Sequence, residues 1–203
     1  YYIYIIYMAI TRKNKRKRWS AKYKRSINCK RPKGFSQKQY CKYGRKHKTR
    51  KHRLRAVAIM KKKNNVSGKV VFTQLKNKLK VEYNIKGMKD GKHGFHVHEI
   101  GNFKGDCKKA GPHFNPDHFT HGARTCFNRH AGDLGNVISK NKVAKGSFTD
   151  KRLSLRKNSK YYIVNRSIIV HDLKDDLGRG KNEESLKTGN AGARLNCAKI
   201  KLI

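Results

Sequence analysis

From residue 55 onward this chain is dominated by short runs in which apolar and polar residues alternate. They read RAVAIM (55–60), VSGKVVFTQL (66–75), LKVEYNIKGM (79–88) and KHGFHVHEIG (92–101). GDLGNVIS (132–139), KVAKGSFTD (142–150), YYIVNRSIIVHD (161–172) and ARLNCAKIKLI (193–203) follow. Asn, Gly and Lys turns part the early runs, and no helical period is sustained. The pattern predicts about eight strands in an antiparallel sandwich or barrel. Two segments break the rhythm. Residues 102–132 and 173–192 are long, polar and Gly-rich, and loops beyond about 12–15 residues are usually functional or disordered. They hold half of this region's histidines and half of its carboxylates, so something must anchor them. A metal and a disulfide are the two candidates.

Charge divides the chain further. It carries 52 Lys and Arg against 12 Asp and Glu. Residues 1–55 hold 21 of the basic residues and no acidic one, which leaves 31 basic and all 12 acidic residues for the remainder. The stretch 11–55 has few large aliphatic residues and repels itself, so it is expected to be a disordered basic arm, with residues 1–54 as an extension and 55–203 as the folded domain. Such an arm can neutralise nucleic-acid phosphates, with Trp19, Tyr23, Tyr40 and Tyr43 available to stack on bases. A solvated tail or a nuclear-type address is an equally good reading. Cys29 and Cys41 lie in the arm without a C-x-x-C pair, which supports a zinc finger only weakly. The apolar opening YYIYIIYMAI is too short to span a bilayer, and its positive charges follow it, unlike those of a secretory signal. A soluble, intracellular (cytoplasmic) protein with no membrane partner is expected, with Met8 as its natural start.

The candidate chemistry lies in the stretch HGFHVHEIG (93–101). Side chains alternate along a strand, so His96 and His98 project to one face while Phe95 and Val97 turn to the other. The first long segment adds His113, His121 and His130 with Asp133 close behind, and the strand end adds His171. Six histidines and a carboxylate concentrated around loops that need an anchor suit copper and zinc. Three His and one Asp suit tetrahedral zinc in particular. His93 and His118 are left over.

GFHVHE, AGPHFNP, RHAGDLGNV, DDLGRGKNEES and KTGNAGARLNC, taken in order, resemble copper/zinc superoxide dismutase of the intracellular eukaryotic type, from about Arg55 to Ile203. The resemblance implies an eight-stranded antiparallel Greek-key β-sandwich or barrel with two long functional loops. It also implies disproportionation of superoxide on cycling Cu(II)/Cu(I), with a structural Zn. By resemblance His96, His98, His113 and His171 correspond to copper ligands, and His113, His121, His130 and Asp133 to zinc ligands. Asp175 corresponds to a carboxylate linking a copper histidine to a zinc histidine. Cys107 and Cys197 correspond to an intrasubunit disulfide and Arg194 to the arginine beside the copper. Glu183, Glu184, Lys187 and Thr188 correspond to the substrate channel. Cys126 has no counterpart.

The sequence departs from the family at Lys199 and Lys201 on the last strand and at Asn165. These put like charges and a polar residue where members usually pair as homodimers, so a monomer or a differently packed dimer is expected to compete with the usual pairing. Lys181 adds a charge to the channel loop. Two rival readings accompany the enzyme: a copper-delivery or storage protein on the same fold, and a nucleic-acid-binding protein acting through residues 1–55.

Overall fold

A computed structural model describes residues 19–44 and 53–203, which fall into two compact units, one within 1–51 and the other within 52–203. Each is treated separately. Among the described residues no helix is long and apolar enough to cross a membrane.

The larger unit is a two-sheet sandwich. β1 (Arg55–Lys63), β2 (Val66–Gln74), β3 (Leu79–Lys86) and β6 (Val143–Asp150) join β9 (Lys201–Leu202) in the order β6-β3-β2-β1-β9. The second sheet runs β5-β4-β7-β8, from β5 (Asp133–Ser139), β4 (Gly91–His98), β7 (Ser167–His171) and β8 (Arg194–Lys199). Every pairing between these strands is antiparallel. The last predicted strand is split at Ile200, whose side chain is buried while Lys201 and Leu202 turn to pair with β1. The run 161–172 yields a strand only from Ser167. Residues 161–166 bend instead, with Asn165 in the left-handed region.

Alternation sets the core. Phe72, Val70, Val81 and Ile85 from one sheet meet Phe95, Val97, Ile168 and Val170 from the other, all fully buried. Each such side chain contributes about 1.5–3 kcal/mol of transfer free energy. The opposite face is buried at the histidine-bearing ends of β4 and β7 and at Asp133 of β5, under the two long connections, whereas Lys92 and Ile138 farther along stay exposed.

These connections are not structureless. Cys107–Ala110 forms a 3-10 turn, and Glu183–Thr188 forms a short helix, α3, capped by the Asn182 side chain, which accepts from Ser185 N. Cys107 and Cys197 are disulfide-bonded across 90 residues, tying the first connection to β8. The buried Arg129 guanidinium secures the first connection as well. It donates to Asp150 Oδ2 at 2.6 Å and to the carbonyls of His130, Ala131 and Asp133.

In the smaller unit the expectation of disorder fails for residues 19–44. Helices α1 (Ala21–Ser26) and α2 (Gly34–Gln39) and a π-turn at Tyr40–Gly44 form there, and Cys29 and Cys41 are disulfide-bonded. The physical reason is a crosslink plus a small aromatic frame of Trp19, Tyr23 and Tyr40, which together offset the ordering entropy that composition alone could not. The same disulfide occupies both thiols that a zinc finger would need. Residues 1–18 and 45–52 of the expected arm lie outside the described residues.

Candidate metal centre

Strand register brings the donors together. In the four-stranded sheet His96 stands opposite Asp133 of β5, and His171 stands opposite Arg194 of β8. A bulge between Gly94 and His96 interrupts the β4–β5 ladder at this point, and bulges commonly re-aim side chains beside functional sites. His98 forms an isolated bridge to His113, which draws the first connection onto the sheet. Gly189, with φ of 69°, packs so closely that a Cβ would lie 2.1 Å from Asp175 Oδ1. No other residue fits there without displacing the carboxylate.

Two donor groups result, each with its ligand atoms within 4.8 Å of one another. One comprises His96, His98, His113 and His171, the other His113, His121, His130 and Asp133. His113 belongs to both. All seven residues are buried.

The hydrogen bonds decide which atom of each ring faces inward. His98 Nδ1 is 2.8 Å from Gly111 O and His171 Nδ1 is 3.2 Å from Gly192 O. Carbonyls only accept, so these rings carry their protons on Nδ1 and present bare Nε2 atoms, which lie 3.4 Å apart. Asp175 bonds His96 Nε2 through one oxygen at 2.9 Å and His121 Nε2 through the other at 2.8 Å. That leaves His96 Nδ1 and His121 Nδ1 as the free positions. His96 Nδ1 and His113 Nε2 are buried with no hydrogen-bond partner. On the second side Asp133 Oδ1 is 2.8 Å from His113 Nδ1, 3.0 Å from His121 Nδ1 and 3.2 Å from His130 Nδ1. On the all-histidine side bare nitrogens converge with no proton between them, which is costly, whereas the second side is drawn together by Asp133. Cations placed among them would satisfy every one, and imidazoles with a carboxylate suit both copper and zinc.

A cleft of about 1040 Å³ opens onto the all-histidine side. His98, His113, His171 and Arg194 line it, and so do Glu184, Lys187 and Thr188. Arg194 is held by Cys107 O at 2.7 Å, Lys108 O at 3.0 Å and Gly111 O at 2.7 Å. The disulfide-tied turn thereby aims its guanidinium. Glu183 is not among the lining residues. It is exposed and pairs with Lys187 at 2.5 Å, one helical turn away.

Residues 66–200 match the family described as copper/zinc superoxide dismutase. The chain belongs to the copper/zinc superoxide dismutase family. A superoxide dismutase of Xenopus laevis is 45% identical over 72% of this chain and 97% of its own length. That of Saccharomyces cerevisiae is 47% identical over 73% and 98%. The crystal structure of the clock protein EA4 matches with a TM-score of 0.71 at 37% identity, covering 77% of this chain and 99% of that one. The smaller unit lies outside the family match.

Copper and zinc are the metals the superoxide dismutase family name implies, and the donor set fits both. Electrostatics differ between the two sides. Burial, reinforced by repulsion from neighbouring imidazoles, pushes His98 and His171 well below the usual histidine range and His113 down to about 3. His121 is also lowered by burial, but the hydrogen bonds it donates to Asp133 and Asp175 outweigh it and raise the ring to about 9. Asp133 and Asp175 are pushed up by burial and pulled further down by their histidine partners, so both sit below the ordinary carboxylate range.

Two left-over histidines find places that spacing could not indicate. His93 is buried, with Nδ1 2.8 Å from His171 O and Nε2 2.8 Å from Lys89 O. It steadies the strand end that carries His171. His118 lines the cleft, in a left-handed conformation. Only the carbonyl contact of His93 and the loop path at His118 reveal these roles.

Proposed function

We propose that this chain disproportionates superoxide: two superoxide anions and two protons become one dioxygen and one hydrogen peroxide. His96, His98, His113 and His171 would hold copper, and His113, His121, His130 and Asp133 would hold zinc. Bound copper supplies one-electron redox chemistry, and bound zinc supplies a fixed charge without redox activity. The observation that carries this reading is that His96, His98 and His171 are tied by their outer nitrogens and turn their other nitrogens inward beside His113, which also faces Asp133.

The chain's own residues do the rest. Arg194, held by three carbonyls, offers the remaining guanidinium edge to a small diatomic anion. Lys187 extends the positive field outward along the cleft, which raises the association rate and makes it salt-sensitive. Its pair with Glu183 restrains it, and Glu184 and Thr188 shape the wall. His113 Nε2 has no protein partner while Nδ1 meets Asp133, so Nε2 is the atom that would face copper and, whenever it is not holding the metal, would carry a proton for the departing peroxide. Asp175 fixes the tautomers of His96 and His121 together, so each side's orientation depends on the other's. The test is superoxide disappearance with copper and zinc loaded, for wild type, His171→Ala and Arg194→Ala. Activity should collapse in the first variant and fall in the second. Equal rates in all three would remove the reading.

The organisation we propose is a basic N-terminal extension, residues 1–54, ahead of the superoxide dismutase domain at 55–203, in a soluble intracellular protein. Twenty-one basic residues and no acidic one in 1–55 support nucleic acid as the extension's partner. Exposed Lys201 and Asn165, with Lys199 two residues from Lys201, weigh against pairing through β8 and β9, because a two-fold axis doubles each charge. Light scattering of the purified chain tests that directly.

A further inference from the structure

We propose that residues 19–44 form a stacking platform for single-stranded nucleic acid, with Phe35 and Tyr43 as the rings that receive bases. This rests on the reading of the basic extension as a nucleic-acid-binding arm, and it names the form of nucleic acid and the residues that select it.

The aromatic residues of this unit divide into two groups. Trp19, Tyr23 and Tyr40 spend their rings on one another. Trp19 meets Tyr23 edge-on at 5.1 Å and Tyr40 at 5.8 Å, and Tyr23 Oη accepts from Gln37 Nε2 at 3.0 Å. They build the frame: even Tyr23, 42% exposed, is committed to it by its edge contact with Trp19 and its bond from Gln37, which narrows the set of four rings expected from sequence. Phe35 and Tyr43 are different. Phe35 is 74% exposed and Tyr43 58% exposed. An apolar ring so exposed on so polar a unit carries a binding role more readily than a packing one.

Charge identifies the partner. Residues 19–44 carry eight Lys and Arg and no acidic residue, so nothing in the unit repels phosphate. Lys38 follows Phe35 by three positions on α2, which puts the two on one face. Lys42 Nζ stands 5.2 Å from the Tyr43 ring centroid, so a cation flanks one ring and another shares a helix face with the second. Positive charge that tracks the backbone, together with rings that meet base faces, is how proteins bind single strands with little sequence preference. A duplex hides those faces inside its stack and would use only the charges.

The Cys29–Cys41 disulfide joins the segment before α2 to the turn after it. It closes the loop that carries Phe35 and ties it to the turn that carries Tyr43, which restricts how the two rings are presented.

Fluorescence anisotropy on the full, metal-loaded chain tests this with labelled oligodeoxythymidylate and a labelled duplex of equal length at low salt. Replacing Phe35→Ala and Tyr43→Ala together should weaken single-strand binding by roughly a hundredfold, about tenfold per ring, and leave duplex binding within about twofold. The pair Phe35→Tyr and Tyr43→Phe should bind like wild type. Unchanged single-strand binding by the alanine variant overturns the platform while leaving a phosphate-binding arm. Equal losses for strand and duplex also overturn it, because the rings would then be structural. A wild type that binds neither probe removes the arm reading and this inference together.

Discussion

The two sides of His113 have the same size and the same mostly histidine composition, yet they are held together by opposite means. On the zinc-fitting side Asp133 sits at the centre. One oxygen faces three imidazoles at 2.8–3.2 Å, and the other accepts from Gly122 N at 3.1 Å and His130 N at 2.9 Å. That side is a hydrogen-bonded cluster with its own negative charge. The copper-fitting side has no carboxylate among its donors. Its rings are positioned from behind, by Gly111 O, Gly192 O and Asp175, and their inward nitrogens only repel one another's protonated forms. A centre that must change charge during a reaction benefits from neutral donors on a rigid frame, whereas one that must stay fixed benefits from a charge of its own.

The largest effect should come from Asp133→Ala. It removes the carboxylate from the self-supporting side and should lower metal-free stability by about 3–5 kcal/mol in urea unfolding, with loss of zinc retention. His98→Ala should leave metal-free stability far less affected while emptying the copper-fitting side. If the two variants destabilise equally, the contrast is wrong. Next comes the disulfide. Serine at Cys107 and Cys197 should cost about 2–4 kcal/mol by the same measurement. It should also lower activity, because the turn that aims Arg194 is released. Arg194→Ala loses a charge-assisted donor worth about 1.5–3 kcal/mol, so kcat/KM should drop tenfold or more with the metal content unchanged. Lys187→Ala should act least, lowering kcat/KM a few-fold and flattening its dependence on salt.

Titration separates the sides as well. His98, His113 and His171 have folded values below the 6.5 of an unfolded histidine. The unfolded chain therefore binds more protons below that pH, and metal-free stability from these groups is complete above about 6.5 and is lost as pH falls. His121, raised to about 9, runs the other way: its contribution is full below 6.5 and is lost as pH climbs through 9. Thermal unfolding of metal-free protein across that range should show a low-pH limb that His98→Ala reduces and a high-pH limb that Asp175→Asn reduces.

The alternating runs gave most strands to within a few residues, and the spacing of His96 and His98 foretold a shared face. What escaped the sequence was relational. The inward nitrogens of His98 and His171 depend on carbonyls at Gly111 and Gly192, residues with no side chain to signal them. The Asn182-capped helix is a single short turn inside a polar segment, too brief for any period to appear. Residues 19–44 lacked the apolar content that usually marks order, and the crosslink that compensates joins two cysteines whose pairing spacing does not dictate.

The claim at the centre is that His113 is shared between two cations. Native mass spectrometry of the copper- and zinc-loaded chain tests it most directly, read alongside the His113→Ala variant. The account predicts one copper and one zinc on each wild-type chain, and weakened retention of both in the variant. A wild type that holds a single ion, or a variant that keeps both as tightly as before, would contradict it.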